Sequence, residues 1–233
     1  MFDLFTFIPR AVMQGVPLLF GSTGETITEK SGNLNLGIPG IMYVGGIGGV
    51  IGAFLYEQAV PAAQMNGFLA YLAIAIALIA SYVLGHTRVG LHLRAVGENP
   101  ATADAAGINI GRYKYVATII GSMVAGLGGL YYVMDYANGV WSNNGFGDRG
   151  WLAIALVIFT IWRPNVGIIS SILFGGLYIL YLFLPSSNMA MKELYKMLPY
   201  LVTIVVLVMT SMRNKRETQP PESLGQSYFR EER

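Results

Sequence analysis

HTRVGLHLRAVGENPATADAAGINIGRYK, residues 86–114, is a polar island between two strongly apolar stretches. It holds Arg88, Arg94, Arg112 and Lys114, offset only by Glu98 and Asp104. A loop this long and this basic between two membrane-length segments belongs on the cytoplasmic side. Its middle is written as a short helix, which a simple connector does not require. Asn99 is a favoured N-cap, and Pro100 fits the first helical position, where its missing N–H costs nothing. Ala101 to Ala106 continue with small residues, and Gly107 suits the C′ stop. Such a helix is too short to be stable alone in water, and its alanines build no core of their own. It is either a surface connector or a smooth peg that fits a groove on another protein.

Composition on either side of the island sets the class. Apolar residues make up 54% of the chain, charged residues 12%, and the mean hydropathy is +0.52. Soluble domains carry about a quarter charged residues, so the expectation is all-α, a polytopic transmembrane helix bundle. The absence of cysteine excludes disulfides and thiolate metal sites, and two histidines without a carboxylate cluster offer no metal site. No nucleophile or acid–base pair is expected at membrane depth, so no catalytic residue is assigned. A formal charge of +2 is too small to suggest nucleic acid. The N-terminus, MFDLFTFIPRAVMQG, has neither a basic leader nor a small-residue cleavage site, so no removed signal peptide is expected.

Stretches of roughly 20 apolar residues place spans at Leu36–Tyr56, Gly67–Leu84, Tyr115–Tyr136 and Val166–Leu184. Trp151–Trp162 and Leu198–Met212 are shorter, and Leu4–Ile27 is the weakest, interrupted by Pro9, Arg10, Gln14 and Pro17. The expectation is seven crossings, with six plus a re-entrant segment as the competitor. Lys30, Arg88, Arg94, Arg112, Lys114, Arg163, Arg213, Lys215, Arg216, Arg230 and Arg233 then fall inside; Arg10, Arg149, Lys192 and Lys196 fall outside. That bias gives an N-out, C-in topology. Residues 1–212 form the membrane domain, with its cytoplasmic loop at 86–114. The tail, 213–233, rich in Glu, Gln, Pro, Ser and Arg, is expected to be disordered.

Small residues at i, i+4 spacing, Gly45/Gly49, Gly48/Gly52 and Gly121/Ala125/Gly129, let helix backbones approach closely in lipid. Polar groups at membrane depth are the candidates for a solute path. Asn33 and Asn35 stand among Gly32, Gly37, Pro39 and Gly40, a density that suits either a broken helix lining a cavity or an ordinary turn. Gly37 and Met42 carry this candidate path into the second span. Asp135 and Trp141 mark its other end; with Tyr131, Tyr132 and Tyr136 they read either as an interfacial aromatic belt or as a stacking surface for a base or sugar.

Three blocks carry a family resemblance. GLHLRAVGENPATADAAGINIGRYKY (90–115) resembles the signature cytoplasmic loop of ABC-importer permeases of the branched-chain amino acid and simple-sugar superfamily, closest to the sugar/nucleoside branch. ITEKSGNLNLGIPGIMYVGG (27–46) and DRGWLAIALVIFTIWRPNVG (148–167) resemble two further elements of that family, in the same order. The resemblance implies that the loop helix is a coupling helix. Glu98, Asn99, Pro100, Ala103, Asp104, Ala105, Ala106 and Gly107 would then dock on a separate ATP-binding subunit. It also implies a second permease subunit, as homo- or heterodimer, an extracellular solute-binding protein, and a bacterial or archaeal plasma membrane. The chain has no G-x-x-x-x-G-K-[ST] motif, so ATP belongs to the partner and this chain binds no cofactor. Family members are longer between the first block and the loop, and commonly have Glu where this chain has Pro39. Two other readings therefore stand beside an importer permease. One is a shortened, non-transporting partner of the ATPase or of a full-length permease. The other is an ion-coupled secondary transporter, for which Asp135 is the only acid in a convincing span.

Overall fold

The computed structural model describes residues 3–59, 68–143, 145–184, 188–212 and 219–229. Its elements are helices: α1 (Leu4–Glu29), α2 (Ile38–Ala59), α3 (Phe68–His86), α4 (Arg88–Glu98), α5 (Pro100–Ala105), α6 (Ile110–Tyr131), α7 (Arg149–Phe159), α8 (Pro164–Phe183), α9 (Met189–Lys196) and α10 (Leu198–Met212). A π-helical turn, Tyr132–Tyr136, continues α6. No strand occurs among the described residues.

Among the described residues, five helices are long and apolar enough to cross a membrane: α1, α2, α3, α6 with its π turn, and α8. The α7 helix, with 11 residues, is about 16 Å long, half of a ~30 Å hydrocarbon core. The 15 residues of α10 reach about 22 Å. The shorter expected spans are thus shorter helices.

The least apolar of the five, α1, lies at the centre, packed against α3, α6, α7 and α8. In lipid the ordinary burial rule reverses, because a polar side chain facing hydrocarbon is left without partners. Gln14, Ser22, Thr23, Glu25, Thr26, Thr28 and Glu29 of α1 are all buried. Several return their hydroxyl protons to their own helix: Thr26 Oγ1 donates to the Ser22 carbonyl at 2.7 Å and Thr28 Oγ1 to that of Gly24 at 3.2 Å. The most apolar span, α3, is only 22% buried and faces outward.

Glycines set the helix contacts. A Cβ on Gly45 would overlap the Gly126 carbonyl, and Gly49 lies against Leu130, so one face of α2 seats on α6. Gly48 meets nothing and Gly52 meets only the Met134 side chain. Of the two expected pairs on this span, only Gly45/Gly49 makes a backbone contact.

Candidate functional site

The polar island folds as α4, α5 and the start of α6. Thr87 Oγ1 accepts from Gly90 N at 3.2 Å and caps α4. Leu93 and Val96 turn inward, and Gly97 lies so close to the Lys30 carbonyl that a Cβ would overlap it. Asn99 caps α5, its Oδ1 accepting from Thr102 N at 2.9 Å. The helix closes with Gly107 N donating to the Asp104 carbonyl at 2.9 Å and Ile108 N to that of Ala103 at 3.0 Å, a Schellman-type end. Gly107 has φ +81°, a conformation glycine adopts without strain.

The docking candidates divide by burial. Glu98, Asn99, Ala105, Ala106 and Gly107 are exposed, and Pro100 and Asp104 half-exposed. Ala103 is not on that surface. It is 3% exposed and packs with Val96 and Ile110 under Tyr228, because position 103 falls on the helix face turned toward α4 and α6.

The tail corrects a second expectation. Residues 219–229 lie across the island instead of being disordered. Ser223 N donates to the Gly97 carbonyl and Gly225 N to that of Gly32, each at 3.0 Å. Tyr228 Oη donates to Asp104 Oδ2 at 3.0 Å. Ser223 and Pro221 are buried, so a segment poor in apolar residues is held by hydrogen bonds to the carbonyls of Gly97 and Gly32. The basic residues Arg213, Lys215, Arg216, Arg230 and Arg233 lie outside the described residues.

Between α1 and α2 the chain is non-helical from Asn33 to Asn35. This segment climbs beside the last turns of α1: Asn35 N donates to Glu25 Oε1 at 3.0 Å, and Asn33 Nδ2 donates to Thr118 Oγ1 at 2.9 Å. Both asparagines line a cavity of about 930 Å³, together with Thr28, Thr118, Asp104, Gly107 and the tail. Gly37 is exposed, its N–H bonded to Asn35 Oδ1 at 3.0 Å. Met42 lines no described cavity. It is fully buried, wedged against Gly21 and Gly128, which have no side chains to hold it off.

Asp135 and Trp141 sit at the opposite end. Asp135 is half-buried in the π turn, with Oδ2 buried and without a hydrogen-bond partner. Trp141 Nε1 donates to Asn143 Oδ1 at 3.0 Å, and its ring meets Tyr43 edge-on at 6.0 Å. Five of the six path candidates therefore form two groups, separated by the packed layer around the sixth, Met42, not one site.

Two groups escaped the sequence reading. Arg149, expected outside, is 5% exposed at the start of α7. Its guanidinium donates to Gln14 Oε1 at 2.8 Å and to the Gly145 and Phe146 carbonyls, and lies 4.7 Å and 4.6 Å from the Tyr132 and Tyr178 rings. Tyr131 and Tyr132 are buried, so they are core residues rather than an interfacial belt. The second group is acidic. Asp135 is not the only acid in a span: Glu25 and Glu29, at 0% and 3% exposure, lie one turn apart on α1. Glu29 Oε2 accepts from Trp162 Nε1. Polar residues and prolines in 4–29 hid this segment's weight, although a density of polar residues within a span is itself a signal of the interior. Just beyond α1, burial pushes the Lys30 ammonium below its ordinary value; Arg94 and Arg163 lower it further, while Glu98 and Glu29 oppose them.

Residues 48–207 match the family described as branched-chain amino acid transport system / permease component. A nucleoside ABC transporter permease protein of Lactococcus lactis is 35% identical over 163 residues, 69% of this chain and 49% of that protein. A putative glucose ABC transporter permease protein of Haloferax volcanii is 29% identical over 94% of this chain and 73% of its own length. A guanosine ABC transporter permease protein of Bacillus subtilis is 34% identical over 60% of this chain and 44% of its own. The chain thus spans about half the length of the two nucleoside-type relatives. No solved structure matches it. With five membrane-length helices and a family match over most of its length, the chain is a multi-pass protein of the plasma membrane and belongs to the permease-component family of branched-chain amino acid transport systems.

Proposed function

We propose that the chain is the membrane subunit of an ATP-driven importer of small polar solutes, with nucleosides or simple sugars as the cargo class. The relatives named for nucleosides, guanosine and glucose support that class. One observation carries the mechanism: Asp104 and Gly107 at the end of α5 and Asn33 and Asn35 beside α1 line the same cavity. A separate ATPase docks on the exposed residues Glu98, Asn99, Pro100, Ala105, Ala106 and Gly107. Its movement is felt at once by the Gly32–Asn35 segment through the contact of Gly97 with Lys30. ATP is bound and hydrolysed on that partner. The docking end faces the cytoplasm, giving N-out, C-in, and an extracellular binding protein delivers solute to the opposite end.

The test is uptake in proteoliposomes holding this chain, its ATPase and its binding protein. Asn33→Leu and Asn35→Leu should each lower ligand-stimulated ATP hydrolysis and uptake at unchanged expression. Normal activity in both variants would remove the asparagines from the path.

A second reading has its own observation. The helices that bracket the region where family members are longer, α2 and α3, are the least buried of the five, at 28% and 22%. A full-length permease subunit seated on them would make this chain one half of a heterodimer, or its non-transporting partner. Co-purification with such a subunit supports this reading; a homodimer that transports with only its ATPase and binding protein excludes it.

A further inference from the structure

A pocket of about 450 Å³ opens where the ends of α1 and α3 meet α4 and the α7–α8 turn. Lys30, Arg94, Arg163 and His86 line it, against a single acid, Glu98. Burial is the main reason the Lys30 ammonium lies below its ordinary value; Glu98 opposes it, and Arg94 and Arg163 lower it further, so cations share this wall. Arg94 Nε is buried without a hydrogen-bond partner. The 20-residue helix α8 starts at the same wall, with Pro164 in its first turn and Asn165 on the pocket; Val166 and Gly167 already donate to the Arg163 carbonyl, which leaves Asn165 N–H as the uncapped donor. That group and the helix dipole add positive potential where the side chains already supply it.

The pocket also adjoins an apolar track. Leu78 and Tyr82 of α3, 52% and 63% exposed, lie two turns and one turn before His86 on the same helix stripe, and the His86 ring stacks on that of Tyr82 at 5.4 Å. A headgroup in the pocket would therefore leave acyl chains lying along exposed α3. Basic pockets between membrane helices are suited to anionic headgroups in this way.

We propose that this pocket binds a phosphate-bearing anion, supplied by the headgroup of an anionic phospholipid whose chains lie on α3. The phosphate satisfies Arg94 Nε and the Asn165 N–H at the start of α8, and relieves the repulsion around Lys30. It also braces the turn at Ile161 and Trp162, which form part of the pocket wall. The site requires only that this end of the bundle lie at a membrane surface, so it stands or falls independently of transport.

The test uses the full chain in nanodiscs of phosphatidylcholine with or without phosphatidylglycerol, followed by native mass spectrometry of the lipid retained on extraction. Thermal unfolding in neutral detergent with added inorganic phosphate forms the second arm. Wild type should retain phosphatidylglycerol over phosphatidylcholine, and Lys30→Gln/Arg94→Gln should weaken that preference about tenfold, the effect expected from losing charge–headgroup contacts. Should the double variant fail to fold, the exposed Arg163→Gln serves in its place. Lys192→Gln, outside the pocket, is the control and should change nothing. Phosphate that stabilises the wild type and displaces phosphatidylglycerol would assign the same site to a soluble anion. No lipid preference and no phosphate effect in the wild type would overturn the proposal, as would equal retention by wild type and the pocket variants.

Discussion

Trp162 donates its indole N–H to Glu29, fastening the α7–α8 turn to the last turn of α1. Both residues are buried, and the turn runs through two left-handed positions, Ile161 at φ +56° and Trp162 at φ +52°. Non-glycine residues hold such a conformation only where their surroundings fix it, at a cost of about 1–3 kcal/mol each. The bond to Glu29 is one of those constraints. It joins the central helix to the turn that leads into α8.

Removing that donor should loosen the turn. Trp162→Phe leaves a buried acceptor unsatisfied, at a cost of about 1–3 kcal/mol, and should lower the midpoint of thermal unfolding in detergent. Glu29→Gln keeps an acceptor oxygen in place and should cost less. Equal midpoints for wild type and Trp162→Phe would show that the bond contributes nothing.

Burial separates two neighbouring alanines of α5. Ala105→Trp adds its ring to an exposed surface, so insertion and stability should hold while co-purification with the ATPase falls. Ala103→Trp forces a ring into the cluster of Val96 and Ile110, where overpacking costs about 1–3 kcal/mol or more, and should lower stability with or without the ATPase. Retained binding by Ala105→Trp would take the docking surface off α5.

The tail gives a graded series. Tyr228→Phe removes one hydrogen bond to Asp104, about 0.5–1.5 kcal/mol, and should raise protease sensitivity of the 98–109 loop slightly. Ending the chain at Met212 removes the bonds to Gly97 and Gly32 as well, and should raise it strongly. Identical digestion of all three forms would mean that the tail does not hold the loop.

Topology can be read by single-cysteine labelling, since the chain has no native cysteine. Met191→Cys should react with an impermeant reagent from outside, and Ala106→Cys only after permeabilisation. Both side chains are exposed. Labelling of Ala106→Cys in intact cells would invert the orientation.

Lys30 sets a pH dependence. Its folded proton affinity lies below the ordinary value of 10.5, so between the two the unfolded chain binds a proton that the folded chain does not. Stability should therefore rise with pH through that window. Thermal midpoints across the alkaline range should show the rise in wild type and a flatter profile in Lys30→Gln. A fall with pH in wild type, relative to that variant, would contradict the assigned direction.

By itself, the sequence determined the class, most of the spans and the local form of the 86–114 loop. Apolar runs of membrane length admit only helices, and Asn99, Pro100 and Gly107 define a helix start and stop through contacts within a few residues. What lay inside the bundle was decided by tertiary structure. Apolarity marks the interior of a soluble protein, but lipid is as apolar as leucine, so the least apolar segment, 4–29, became the central helix. Only there do Gln14, Glu25 and Glu29 find Arg149, Asn35 and Trp162, partners more than a hundred residues away in two of the three cases. Long-range packing likewise turned Met42 from path candidate and Ala103 from docking candidate into core, and tied residues 219–229 to Gly32, Gly97 and Asp104. Local spacing carries no record of which distant carbonyl or carboxylate will face a given helix.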